Sequence, residues 1–138
     1  MSRTVAEIMT SDVVSLSSTA SMYDLHQMMK THNIRHIPIV DDTRFAGVVT
    51  QKTVLAKVMY LLDIHGSSCL SKEEKSINVM SLIDKDVVFA SPDMPQIKAA
   101  EFFVNNRHGC LPVIDSQDRL LGIVTSSDFV RLALKLLQ

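Results

Sequence analysis

Ile37-Pro38-Ile39-Val40-Asp41, closed by Gly47-Val48-Val49-Thr50, returns as Leu111-Pro112-Val113-Ile114-Asp115 and Gly122-Ile123-Val124-Thr125. Asp41 and Asp115 stand 74 residues apart, as do Asp12 and Asp86 of the flanking Asp12-Val13-Val14 and Asp86-Val87-Val88. Gly47 and Gly122 are 75 apart, which places one added residue in the turn Asp115–Leu121, where surface backbone tolerates it. A period this long, present twice, describes a duplicated domain rather than a solenoid.

Each apolar run reads as a strand covered on both faces, and its proline predicts an edge position or a strand start, where a missing ladder donor matters least. Phe45–Thr50 and Leu120–Thr125 are the partner strands. Upstream, brief strands are expected at Val13–Ser15 and Val87–Phe89, preceded by short helices at Val5–Met9 and Ser76–Met80. A helix at about Ala20–His32 takes Thr19 as its N-cap. Its counterpart starts from a capping box of Asp93 and Gln96, with Pro95 in the first turn. Each repeat therefore reads α-β-α-β-β-α, an α/β (α+β) class with small mixed sheets packed on helices. The divisions are 1–66 for the first repeat with its closing helix, 67–75 for a linker and 76–138 for the second repeat. Lys72-Glu73-Glu74-Lys75 makes the linker a solvated segment with a charged turn of helix.

The closing helices are apolar on more than one face. Thr53–Leu62 carries Val54, Leu55, Val58, Met59, Tyr60 and Leu61, and the last ten residues are mostly Leu, Val and Ala. So wide a stripe predicts a second partner surface, and a homodimer through these helices. With 138 residues, 46% hydrophobic, and a net charge of -1, the chain is globular and carries no basic footprint for nucleic acid. No apolar run reaches the roughly 20 residues that span a bilayer, and no leader is evident; a cytoplasmic, membrane-free protein is expected.

Gly122-Ile123-Val124-Thr125-Ser126-Ser127-Asp128 holds the most informative chemistry. Hydroxyls and free N–H groups at a helix start receive phosphate, and an adjacent carboxylate accepts bonds from a ribose diol. The same residues also make an ordinary helix cap, and the two roles are compatible. Arg107 or His108 could reach a phosphate from the preceding helix end, and Arg35 or His36 from the other repeat. Such residues also compensate helix carbonyls. The five histidines and two cysteines lack metal-ligand spacing, and Asp128 lacks a second acid, so catalysis is poorly supported.

These paired motifs resemble two cystathionine-beta-synthase-type (CBS) domains in tandem, the Bateman module, over about residues 3–135. The resemblance implies pseudo-twofold related units, frequent dimerisation, and a non-catalytic sensor role. Its ligand would be an adenine nucleotide (AMP, ADP or ATP) or an S-adenosyl compound in a cleft between lobes, with no cofactor required. A separate effector protein would read the response. Thr125, Ser126 and Asp128 match the hydroxyl, phosphate and ribose positions. Val87, Val88, Phe89, Cys110, Leu111 and Pro112 would form the walls for the base, and are otherwise ordinary core. The first repeat keeps Thr50 but has Thr53 in place of the carboxylate, so the second site is expected to be the stronger. The competing reading is a structural or interaction dimer with weak or absent ligand binding.

Overall fold

Ile37, Pro38 and Ile39 are buried in the middle of β2 (His36–Asp41), which pairs antiparallel with β3 (Arg44–Thr50). The computed structural model describes residues 3–84, 87–106 and 109–138. A two-residue strand, β1 (Leu16–Ser17), lies parallel to β2 on its other side, giving the order β1-β2-β3. Pro38 is therefore in a central strand, not at the edge expected. Its register partner Val48 turns its carbonyl outward to accept the Asp84 N–H at 2.8 Å. That makes Pro38–Val48 a non-hydrogen-bonded pair, so β3 requires no donor from the proline. In the second repeat, β4 (Cys110–Ile114) pairs antiparallel with β5 (Leu120–Thr125). Pro112 meets its other neighbour through its carbonyl alone, accepting the Ala90 N–H at 2.8 Å.

The added residue falls where the spacing put it. Asp41 pairs directly with Arg44, whereas the Asp115 N–H reaches the Arg119 carbonyl across one more residue, at 3.0 Å. The brief upstream strands differ from expectation. β1 sits later than Val13–Ser15. The segment Val87–Phe89 forms no strand, because only Ala90 bridges to Val113 while Val88 and Phe89 are exposed.

The helices are α1 (Met22–His32), α2 (Gln51–His65), α3 (Leu70–Ser76), α4 (Gln96–Asn105) and α5 (Ser126–Leu137), with 3-10 turns at Val5–Glu7, Ser67–Cys69 and Val79–Leu82. α1 is capped by Ser21, not Thr19: the Ser21 hydroxyl accepts the Asp24 N–H and the Asp24 carboxylate accepts the Ser21 N–H, both at 3.2 Å. The Asp93–Gln96 box does not form, since Pro95 is itself the cap residue and the Gln96 amide donates instead to the Thr4 carbonyl at 2.9 Å. The linker is not merely solvated. α3 brings Glu74 to 3% exposure, where it meets His26 Nδ1 of α1 at 2.9 Å. Lys75 lies 4.8 Å from the Tyr23 ring centroid.

Two compact units result: Val14–Asp86, and Met1–Val13 with Val87–Gln138. Within the first, Asp84 bridges β3 at Val48; within the second, Thr10 bridges β5 at Ile123. The lead-in residue of each repeat thus completes the sheet of the other repeat, and the units cross the repeat boundaries. One core gathers Met22, Leu25, Ile37, Ile39, Val49 and Val54, and the other gathers Val5, Ala90, Ala99, Leu111, Val113 and Val124.

Candidate functional site at the start of the last helix

The turn from β5 into α5 collects the polar groups of the second repeat. Thr125 ends β5 in extended conformation and is the N-cap of α5, with Ser126 and Ser127 exposed in the first turn. Asp128 is the third residue of the helix and 5% exposed. Its Oδ2 accepts the Thr125 N–H at 2.8 Å and the Thr125 hydroxyl at 3.4 Å. Its Oδ1 accepts the Thr10 hydroxyl at 3.3 Å and is ion-paired with Arg131. The carboxylate is thus the acidic half of a capping box, favourably placed at the positive end of the helix dipole. Cys110 stands opposite Thr125, Leu111 opposite Val124 and Pro112 opposite Ile123, all three buried. Leu111 belongs to the core of its unit.

The proposed walls do not all gather here. Phe89 lines an open recess of roughly 620 Å³ with Ala90, Pro92, Asp93, Ile114 and Asp118. That recess is at the hairpin-turn end of β4 and β5, four residues along β4 from Cys110, or about 13 Å at 3.3 Å per residue. Val87 is half-buried and Val88 exposed.

Arg35, His36 and Thr50 come together in the other unit. His36 pairs with Thr50 across β2 and β3, and the Gln51 N–H donates to the Arg35 carbonyl at 2.8 Å. Burial lowers the His36 pKa below its ordinary value, and the Arg35 charge beside it lowers it further. Thr50 caps α2 by accepting the Thr53 N–H at 3.3 Å, and the two hydroxyls are 3.2 Å apart. Arg107 and His108 lie outside the described residues.

Two functional candidates escape the sequence reading. Arg131 has the i,i+3 spacing from Asp128 that would have revealed it. Thr10 carries no such signal, being 118 residues away from its partner. Among the described residues no group of His, Cys, Asp and Glu is arranged to hold a metal ion, and no helix is long and apolar enough to cross a membrane.

The chain belongs to the CBS domain family, whose model matches residues 5–60 and 79–135. CBS pairs are in general regulatory and non-catalytic. A homoserine O-acetyltransferase of Methanohalobium evestigatum is 35% identical over 129 residues, 93% of this chain and 24% of that protein. The chain thus spans about a quarter of the length of that curated relative. A candidate acetoin utilization protein of Vibrio cholerae, AcuB, superposes with a TM-score of 0.81 at 30% identity, covering 99% of this chain and 94% of that one. The CBS domain pair of protein MJ0100, solved in complex with 5′-methylthioadenosine and S-adenosyl-L-methionine, has a TM-score of 0.73 at 25% identity over 96% of each chain.

Proposed function

We propose that this chain is a ligand-responsive regulatory module that binds an adenosine-containing molecule, AMP, ADP, ATP or an S-adenosyl compound, without transforming it. Asp128 accepts the ribose hydroxyls, Thr125 and Ser126 face the phosphate or its equivalent, and Cys110 with Pro112 borders the base. One observation carries this reading: a carboxylate held at 5% exposure on a strand-to-helix turn flanked by hydroxyls. The adenosyl ligands in the MJ0100 complex support the ligand class. A cytoplasmic homodimer joined through α2 and α5, acting on a separate effector, fits the apolar exposure of Leu55, Met59, Val130 and Leu134. A ligand shifts such an assembly only by binding its two states unequally.

Calorimetry of the whole chain against AMP, ADP, ATP and S-adenosylmethionine tests this. Asp128→Ala is expected to weaken binding by about ten-fold or more, the low end for one charge-assisted hydrogen bond. Asp128→Asn controls for the lost cap by keeping the side-chain shape. Affinity unchanged in both variants rejects the ribose contact. The second reading, a structural or interaction dimer, is favoured by the full set of internal partners on Asp128. Absence of saturable binding across the panel would select it.

A further inference from the structure

We propose that Arg131 is an internal counter-ion that a ligand must displace from Asp128, and that this exchange makes the site favour anionic nucleotides over the neutral nucleoside. The inference rests on the ribose role of Asp128 and assigns its selectivity. A carboxylate offers about four acceptor positions. Here all four are used: Thr125 N–H and hydroxyl on Oδ2, Thr10 hydroxyl and Arg131 on Oδ1. A ribose diol brings two donors and therefore needs two of these positions.

The four partners are not equally replaceable. The Thr125 N–H is fixed by the backbone at the start of α5, and losing it uncaps the helix. Thr10 is anchored by a reciprocal pair of backbone bonds with Ile123, at 2.9 and 3.0 Å, leaving only its long 3.3 Å hydroxyl contact to rotate away. Arg131 is 64% exposed, and its guanidinium returns to water when it leaves. Oδ1 is therefore the side that opens. The departing guanidinium stays within one helical turn of the bound ribose, where a phosphate presents the planar pair of acceptors that arginine engages bidentately. A phosphorylated ligand thus supplies Arg131 with a new partner. A neutral nucleoside displaces it and supplies none.

The test is calorimetric titration of the full chain with adenosine and with AMP, for the wild type, Arg131→Gln, Arg131→Lys and Asp128→Asn. The wild type should prefer AMP. Arg131→Gln should tighten adenosine while weakening AMP, so that the ratio of affinities falls about ten-fold or more. Opposite signs for the two ligands distinguish displacement from general damage, which weakens both. Arg131→Lys should retain much of the preference, and 0.5 M salt should narrow it in the wild type. An unchanged ratio in Arg131→Gln, with binding still dependent on Asp128, overturns the role of Arg131 alone. Failure of the wild type to bind either ligand, or indifference of adenosine to Asp128→Asn, overturns the ribose site and this inference with it.

Discussion

Substituting Gly122 by alanine probes the joint between the N-terminal segment and the candidate site. Gly122 sits in β5 opposite Val113, and a Cβ there would stand 2.7 Å from Met9 Sδ and 2.8 Å from the Thr10 carbonyl oxygen. The methionine can rotate away. The carbonyl cannot, because it accepts the Ile123 N–H at 3.0 Å while the Thr10 N–H donates to Ile123 at 2.9 Å. Forcing a methyl into such a contact costs about 1–3 kcal/mol, and each backbone bond given up to relieve it costs about 1 kcal/mol. The expected loss is about 2–4 kcal/mol, a large share of an ordinary domain's stability. At about 4 °C per kcal/mol for this chain length, Tm should fall by roughly 8–15 °C. Urea unfolding followed by circular dichroism measures it. Gly66→Ala gives the contrasting case of pure backbone strain: its Cβ meets nothing within 4 Å, but φ 75° with ψ 171° is a conformation nearly exclusive to glycine and costs about 1–3 kcal/mol. A loss below about 0.5 kcal/mol for Gly122→Ala would refute the claim that the Thr10 backbone is pinned against β5.

Leu134→Glu, on the exposed face of α5 where Val130 and Leu134 are 68% and 61% exposed, should raise the dimer dissociation constant at least about ten-fold. Sedimentation velocity decides; a wild type that is monomeric at micromolar concentration ends the dimer proposal. The lowered pKa of His36 predicts a pH dependence with a fixed sign. The unfolded chain binds more protons there, so the contribution of His36 is complete above its ordinary pKa of 6.5 and is lost as pH falls below it. The urea midpoint should therefore drop between pH 7.5 and 5.5 less steeply in His36→Asn than in the wild type, and identical slopes contradict the assignment.

The strands β2 to β5 and the closing helices were legible because their information is local: an apolar run, a polar turn, a glycine and a threonine at matched spacing. The glycines were visible as a motif, but their reason was not. A Cβ at position 47 would stand 3.1 Å from Ile83, and one at position 122 would meet Met9 and Thr10, each neighbour brought in by a lead-in segment from the other repeat. Lys72-Glu73-Glu74-Lys75 read as solvated because burial of Glu74 depends on His26, 48 residues earlier. Val87–Phe89 read as a strand from its apolar content, yet pairing is confined to Ala90, which exchanges bonds with Pro112 and Ile114 at 2.8 and 2.9 Å. At the candidate site, Thr125 and Asp128 were legible as a cap and a ligand position alike. Thr10 was not, since no local pattern encodes a contact across nearly the whole chain.

The two strand-to-helix turns show that the fold itself does not require a carboxylate at the third helical position. α2 begins with Thr50 accepting the Thr53 N–H, a neutral cap worth about 1 kcal/mol, and Thr53 occupies the place that Asp128 has in α5. Asp128 adds an interaction with the helix dipole of about 0.3–1 kcal/mol, but at 5% exposure its ionised form also gives up most of its hydration. The compensating Arg131 is itself largely in solvent, so the ion pair offsets only part of that lost hydration. The sister repeat caps its helix with threonine alone, so the extra cost of burying a carboxylate at position 128 is consistent with the proposed contact to a ligand's hydroxyls. The difference between positions 53 and 128 is therefore the ground for proposing ligand binding at the second turn rather than at both.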